Sequence, residues 1–228
     1  MTPHRTSESF RERSAALWSA VHAHPFVRGI GSGELSRESL EHDLEQDYLY
    51  LIEFSRVLAV AAAKTENPDD MGCFAKLLHA TLEFEMALHK RTCAEFGIGA
   101  NELLAVEPSL VTTAYTGFLV RTCYEGGSAD ILAALLPCEM GYFEIAEGLR
   151  GKGLPANRHF RDWIETYSSA EFREFAGWVA GKLDELTLGA APRDVERWYR
   201  LYRTSARFEL LFFEAGWTRE SWPRIVPL

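Results

Sequence analysis

The stretch from Arg37 to Lys64 reads RESLEHDLEQDYLYLIEFSRVLAVAAAK, and its apolar pattern decides the fold class. Its apolar side chains recur at intervals of three, four and seven residues: Leu40, Leu44, Leu51, Phe54 and Leu58. These intervals place them on one face of an α-helix. Ser36 is a suitable N-cap for that helix.

Helical periodicity extends through most of the remaining chain. Further helices are predicted over residues 7–23, 68–96, 108–125, 128–150, 158–166, 172–188 and 192–217. Sustained alternation with a period of two is absent, so the sequence gives no reason to expect strands. We therefore expect one all-α domain of about eight helices, built by helix-on-helix packing over residues 1–228.

Composition and charge exclude several classes of protein. Of the 228 residues 47% are hydrophobic, which is enough for a large core, and the formal net charge is −9. Nucleic-acid binding needs a basic face, so that partner is not expected. The longest apolar run, Leu58–Ala63, is too short to span a membrane. The first residues lack an apolar signal region, so we expect a cytoplasmic protein.

The cysteines and histidines do not form a recognisable metal motif. Cys73, Cys93 and Cys123 lie far from one another and from Cys138, so no C-x-x-C pair exists. The Glu-x-x-His motif of helical di-iron proteins is also absent. His89 follows Glu85 by one turn without a second set of ligands. We expect neither a metal nor a cofactor.

Asp47 and Glu214 are carboxylates that are predicted to lie on the apolar faces of their helices. Those of Asp47 are Leu44, Tyr50, Leu51 and Phe54, and those of Glu214 are Leu210, Leu211 and Trp217. Such surroundings raise the pKa of a carboxylate, which suits a general acid. The pattern leaves purely structural roles open: a hydrogen-bonded core carboxylate for Asp47, and an ion pair with Arg203 or Arg207 for Glu214.

Cys138 directly follows Pro137 inside a predicted helix. If the proline restarts the helix, the thiol lies in a first turn, where backbone N–H groups stabilise a thiolate. An ordinary buried thiol is the alternative. Four tyrosines on different helical segments or their ends are candidates for an aromatic pocket, although tyrosine is also common in cores: Tyr50, Tyr115, Tyr142 and Tyr167.

Six segments together resemble the TenA family, also called thiaminase II. They are His24-Pro25-Phe26, residues 45–51 (EQDYLYL), residues 114–119 (AYTGFL), Leu136-Pro137-Cys138 with residues 142–145 (YFEI), residues 163–167 (WIETY) and residues 212–215 (FFEA). The resemblance runs from about residue 10 to the C-terminus. It implies a haem-oxygenase-like all-α fold, a homotetramer and hydrolysis at a pyrimidine without metal or cofactor.

The resemblance also implies roles for individual residues. Cys138 matches the nucleophile that adds to the pyrimidine, Glu214 the acid/base for the leaving group, and Asp47 the carboxylate that binds the ring nitrogen and amine. Ring-stacking or hydrogen-bonding positions are matched by Tyr50, Tyr115, Tyr142 and Tyr167. The chain departs from the family pattern at Glu139-Met140 and at residues 215–217 (AGW). Both departures lie beside predicted reacting residues, so they concern the identity of the substrate more than the fold.

The implied activity is deamination of aminopyrimidines such as 4-amino-5-aminomethyl-2-methylpyrimidine, or cleavage of thiamin. A thiol can break ring aromaticity by addition, and a carboxylic acid of raised pKa can protonate the amine. Two alternatives are a pyrimidine-binding or regulatory protein that has lost catalysis, and a metal- or cofactor-using oxidase of the same fold. The absence of Glu-x-x-His pairs counts against the oxidase.

Overall fold

The computed structural model describes residues 5–223, which form twelve α-helices and one π turn without strands. The helices are α1 (Thr6–Arg13), α2 (Ala15–His22), α3 (Pro25–Ser32), α4 (Arg37–Lys64), α5 (Pro68–Ala80), α6 (Met86–Glu95), α7 (Ala100–Ala105), α8 (Leu110–Glu125), α9 (Ser128–Arg150), α10 (Arg158–Tyr167), α11 (Ala170–Leu186) and α12 (Pro192–Thr218). The predicted all-α class is confirmed.

Four local features raise the helix number from the predicted eight to twelve; three are the following, and the fourth is the π turn between α5 and α6. The first predicted helix is interrupted at Ser14, where φ is −106° and ψ is 14°. Helix α3 begins because the His24 side chain accepts a hydrogen bond from the N–H of Phe26 and Pro25 occupies the first position. Helix α7 follows Gly99, whose N–H donates to Glu102 at 2.6 Å.

Helices α5 and α6 form one continuous rod through a π turn at Thr81–Glu85. The sequence predicted this rod over residues 68–96 but not the turn. A π turn inserts one extra residue into a helix and changes the direction of the side chains around it. Thr81, Glu83, Phe84 and Glu85 consequently all line the cavity described below.

All twelve helices contribute to one hydrophobic core, and α9 lies at its centre. Every residue from Ile131 to Leu136 is at least 97% buried, as expected for a helix enclosed on all sides. Helix α9 packs mainly on α11 and α12, and α4 packs on α5 and α8. No helix within residues 5–223 has the length and apolarity needed to cross a membrane.

The restart of α9 at Pro137 is contradicted, because the helix continues to Arg150. A proline within a helix removes the hydrogen bond to the carbonyl four residues earlier, here that of Ala133. The fully enclosed turns before Pro137 and the buried Ile145 beyond it hold the helical path. Cys138 is therefore a mid-helix residue and receives no thiolate stabilisation from a helix N-terminus.

Candidate active site

A cavity of about 540 Å³ opens between α4, the π turn, α8, α9, α10 and α12. Its volume lies within the range of small-molecule sites. Six of the seven predicted site residues line it: Asp47, Tyr50, Tyr115, Cys138, Tyr142 and Tyr167. These side chains come from four helices, so the fold brings together residues that are up to 120 positions apart.

Asp47 is held at the cavity wall by His89. The His89 Nε2 atom donates to Asp47 Oδ2 at 2.6 Å, and its Nδ1 donates to the Glu85 carbonyl at 2.9 Å. Burial lowers the pKa of His89, but the hydrogen bond and charge of Asp47, with that of Glu85, outweigh burial and raise it to about 9. Asp47 therefore lies against an imidazolium at neutral pH.

The tyrosines form two aromatic groups across the cavity. The rings of Tyr50 and Tyr115 lie 5.1 Å apart, and those of Tyr142 and Tyr167 lie 5.0 Å apart. The Tyr50 hydroxyl lies next to the Cys138 thiol. Two aromatic walls with polar tips suit a planar heteroaromatic ring.

Cys138 contributes a thiol that is uncharged in the empty cavity. Burial raises its pKa well above the usual value, and the neighbouring carboxylates Glu209 and Glu139 raise it further. The other three cysteines are also free thiols, but none of them lines the cavity. Attack by Cys138 consequently requires a base that accepts its proton.

Glu214 lies outside the cavity, which contradicts its predicted place inside. Its side chain is 53% exposed, and it accepts a hydrogen bond from His24 Nε2 at 2.9 Å. The neighbours that suggested burial belong to the outer face of α12, since Leu211 and Trp217 are 46% and 44% exposed. Its partner is therefore the His24 that caps α3, not an arginine.

Glu209 is the carboxylate that α12 does place in the cavity, and sequence reasoning missed it. Its side chain is 2% exposed, and it accepts a hydrogen bond from the Tyr115 hydroxyl, which also lies 2.9 Å from Ser205 Oγ. Burial raises the pKa of Glu209 to about 8 despite that hydrogen bond, with a smaller contribution from Asp47. The sequence did contain a sign of this position, because Ala206, Phe212 and Phe213 lie on the same face of the helix as Glu209.

Two further carboxylates reach the cavity, the partly buried Glu85 and the buried Glu139. The Tyr167 hydroxyl donates to Glu85 Oε1 at 2.6 Å. Burial and the charge of Asp47 raise the pKa of Glu85 to about 7. Burial and the charges of Glu85 and Glu209 raise the pKa of Glu139 to about 8. In the sequence, Glu139 was noted only because it departs from the residue type that the family usually has there. For Glu85 and His89, the sequence favoured a structural or surface role.

The arrangement supplies the parts of an addition–elimination reaction. The Cys138 thiol, the Glu209 carboxyl with its pKa of about 8 and the Asp47 carboxylate bonded to His89 all line one cavity with aromatic walls. Within residues 5–223, no group of three or more His, Cys, Asp and Glu side chains is arranged to hold a metal ion.

The fold is an all-helical one of the haem-oxygenase-like type, and it contains a cavity of the size of small-molecule sites. A Shewanella denitrificans domain described with a heme oxygenase-like fold, 14% identical, superposes with a TM-score of 0.72 and covers 93% of this chain and 92% of its own. Residues 11–219 match the TENA/THI-4/PQQC family, and the chain belongs to that family. The resemblance found in the sequence is thereby confirmed.

Individual relatives are similar over nearly their whole length. An aminopyrimidine aminohydrolase of Halalkalibacterium halodurans is 38% identical over 94% of this chain and 96% of its own. A crystal structure from Silicibacter sp. TM1040, described as a TenA family transcription regulator, is 32% identical. It has a TM-score of 0.87 and covers 94% of this chain and 97% of its own.

Proposed function

We propose that this chain is an aminopyrimidine hydrolase of thiamin salvage. It converts 4-amino-5-aminomethyl-2-methylpyrimidine to the hydroxypyrimidine, and the same site can cleave thiamin to hydroxymethylpyrimidine and thiazole. The observation that carries the proposal is the common cavity of Cys138, Glu209 and Asp47. The similarity to a relative named aminopyrimidine aminohydrolase supports it.

Asp47 positions the ring. Its carboxylate accepts hydrogen bonds from the exocyclic amine and a protonated ring nitrogen, and the hydrogen bond from His89 fixes its position. The phenol rings of Tyr50, Tyr115, Tyr142 and Tyr167 enclose the faces of the pyrimidine. A ring nitrogen that shares a proton with Asp47 withdraws electrons from the neighbouring carbon, which favours addition there.

Cys138 adds to an electron-poor carbon of the pyrimidine ring and breaks its aromaticity. The sulfur–carbon bond forms while the thiol proton passes to the Glu209 carboxylate, whose charge acts on the thiol more strongly than that of Glu139. Glu209 then gives that proton to the amine on the methylene arm, which leaves as ammonia when the carbon–nitrogen bond of the arm breaks; in thiamin the positively charged thiazole nitrogen leaves from the same carbon without a proton. A carboxyl of pKa about 8 is suited to both transfers at neutral pH.

Water completes the reaction. It adds to the methylene carbon that the leaving group has vacated and loses a proton to Glu209, and the carbon–sulfur bond then breaks to return the thiol and release the hydroxymethylpyrimidine. The net change is exchange of an amino group for a hydroxyl group with one water consumed. Glu209 thus replaces Glu214 as the acid/base in our proposal.

Comparison of Cys138→Ala with Cys73→Ala tests the nucleophile. Cys73 is a free, partly buried thiol outside the cavity, so its removal controls for loss of a cysteine. We expect Cys138→Ala to abolish release of ammonia from the aminopyrimidine and Cys73→Ala to retain it. Full activity of Cys138→Ala would contradict the assignment of Cys138 as the nucleophile. Absence of turnover by the wild-type protein would contradict the proposal that the chain is an enzyme.

A pyrimidine-binding regulator is the second candidate. The uncharged Cys138 thiol favours it, as does the description of the Silicibacter relative as a transcription regulator. Calorimetric binding of the pyrimidine without turnover would support this candidate, whereas turnover supports the hydrolase.

We also propose a homotetramer that acts in the cytoplasm. Large apolar side chains, among them Phe84, Leu104 and Leu188, are more than 60% exposed on the single chain and are suited to subunit contacts. Four free thiols fit a reducing compartment. Light scattering should give four times the mass of the 25.8 kDa chain, and a monomeric mass contradicts the tetramer.

A further inference from the structure

Ser205 is a buried hydroxyl on α12 that reaches the site only through another residue. Its side chain is fully buried, and Ser205 does not itself line the cavity. Its Oγ atom lies 2.9 Å from the Tyr115 hydroxyl on α8. The reaction proposed above gives Ser205 no role, although its hydroxyl is aimed at a residue of the cavity wall.

The spacing on α12 aligns Ser205 with Glu209. The two residues are one helical turn apart, so both side chains leave the same face of the helix. That face packs against Tyr115, which is 1% exposed and whose hydroxyl reaches both side chains. Tyr115 therefore bridges the serine and the carboxyl across the contact between α8 and α12.

The protons of this chain point toward Glu209 when that carboxyl is ionised. Tyr115 has a single hydroxyl proton, and it donates that proton to Glu209 Oε1. The Tyr115 oxygen retains lone pairs, so the Ser205 hydroxyl is the donor of the 2.9 Å bond. A phenol whose oxygen accepts a hydrogen bond donates its own proton more strongly. Ser205 consequently strengthens the bond from Tyr115 to Glu209.

The bond from Tyr115 favours the ionised form of Glu209, which is the form that accepts a proton. Burial and the charge of Asp47 raise the pKa of Glu209, whereas the hydrogen bond from Tyr115 lowers it. The remaining titratable groups that interact with Glu209 are phenols, a thiol and a carboxyl: Tyr50 on α4 and Cys138, Glu139 and Tyr142 on α9. None of these groups is a cation, so the ionised form depends on the bond from Tyr115.

The same bond fixes the orientation of the Glu209 carboxyl. Tyr115 occupies Oε1, so Oε2 is left for the thiol and the leaving group. Glu139 lacks such support, since its Oε2 atom has no hydrogen-bond partner among the described residues. A group that takes a proton and then returns it must keep one geometry through both transfers, and a carboxyl held from one side does so.

We propose that Ser205 is a positioning residue that acts through Tyr115 to hold Glu209 as the proton carrier. This inference rests on the proposed function. Ser205 contacts neither the substrate nor Cys138, and its removal affects the reaction only through the Tyr115 hydroxyl.

The protonation of Glu209 tests the proposal without turnover. Infrared spectroscopy follows the protonated-carboxyl band of Glu209 as pH is raised, and the band is assigned by its absence in Glu209→Gln. We expect Ser205→Ala to move the midpoint to higher pH by roughly half a unit, about a threefold change in the proton equilibrium, since one hydrogen bond of the chain is lost. The acid limb of kcat/KM should move in the same direction. The loss of activity is therefore larger at pH 7 than at pH 9.5, where Glu209 is ionised in both proteins.

Ser55→Ala is the matched control, because Ser55 is a buried serine outside the cavity whose Oγ has no hydrogen-bond partner among the described residues. It should leave the midpoint in place. In a Tyr115→Phe background, Ser205→Ala should cause no further shift, since the group through which it acts is gone. An unmoved midpoint in Ser205→Ala, or the same shift in both backgrounds, overturns the role of Ser205. Absence of wild-type turnover overturns the proposed function instead, because the infrared midpoint does not depend on chemistry.

Discussion

His89 Nε2 lies 2.6 Å from Asp47 Oδ2, and both side chains are buried behind the cavity. The second ring nitrogen of His89 is fixed by the Glu85 carbonyl, so the imidazolium has one orientation. Asp47 is thereby bonded to a cation, whereas burial raises the pKa of Glu85 to about 7 and those of Glu139 and Glu209 to about 8. Asp47 is paired with a cation, whereas Glu209 is not. The two carboxyl groups therefore suit different tasks: Asp47 binds the ring, and Glu209 transfers protons.

Replacement of His89 by Gln should destabilise the protein in a pH-dependent way. The pKa of His89 is raised from 6.5 to about 9, so its stabilising contribution is complete below pH 6.5 and is lost as pH rises through 9. We expect His89→Gln to lower the free energy of unfolding by about 3–5 kcal/mol at pH 6, because Asp47 loses its cation. Urea denaturation at pH 6 and pH 9.5 measures the effect.

The loss in His89→Gln should be smaller at pH 9.5. His22→Gln is the control, since His22 is partly exposed and lies 3.9 Å from Glu144. That change should cost less than about 1 kcal/mol. Equal destabilisation by His89→Gln at both pH values would show that the pair does not carry the charge assigned to it.

Glu209→Gln and Glu214→Gln distinguish the two carboxylates of α12. Glu209 lies in the cavity, whereas Glu214 bonds to His24 outside it. We expect Glu209→Gln to lower kcat for deamination roughly 100-fold or more, since it removes the proton carrier. Glu214→Gln should change kcat less than about threefold. The reverse ranking in steady-state ammonia release would return the acid/base role to Glu214.

The sequence predicted the fold because the apolar periodicity of the long helices is strong. Residues 37–64, 128–150 and 192–217 became α4, α9 and α12 with ends within a few residues of prediction. The short helix α3 was missed, since it depends on the His24 cap and on tertiary contact with Glu214. Local pattern does not contain such contacts.

The site was harder to predict than the fold, for a geometric reason. The site residues on α4, α8, α9 and α10 were predicted from apolar neighbours, from Pro137 and from the family resemblance, but α12 offered two glutamates five residues apart. Glu214 was chosen from Leu211 and Trp217, which face solvent. Helix α12 has apolar residues on two faces, and the face that turns to the core is decided by the packing of α9 and α4 against it. The sequence of α12 alone does not contain this information.

Glu139→Gln should stabilise the empty protein at alkaline pH. Its pKa is raised from 4.5 to about 8, so between these values the folded protein binds more protons than the unfolded chain. The free energy of unfolding therefore falls as pH rises through this window. We expect the variant to gain about 1–3 kcal/mol over wild type at pH 8.5 and little at pH 5. Thermal and urea unfolding at both values measure this.

Glu147→Gln, on the same helix outside the cavity, serves as the control and should show no gain at pH 8.5, because it loses the pair with Arg173. A gain for Glu139→Gln that is as large at pH 5 as at pH 8.5 would exclude an ionised, unpaired carboxylate as its cause. Functional sites often lower the stability of a protein, and a buried carboxylate without a hydrogen-bond partner is one way in which they do so.

Gly141 sets how closely α9 approaches α2, and Gly141→Ala tests the importance of that contact. A Cβ at position 141 would lie 2.7 Å from Cζ3 of Trp18, which is itself buried and donates from Nε1 to the Tyr202 hydroxyl at 2.8 Å. Neither ring can move freely, so we expect a loss of about 1–3 kcal/mol in the free energy of unfolding. Gly148→Ala, on the same helix with no atom within 4 Å, should instead stabilise by about 0.5–1 kcal/mol. Urea denaturation of both variants checks the difference in sign, and a stabilising Gly141→Ala would mean that α2 can shift away from α9 without cost.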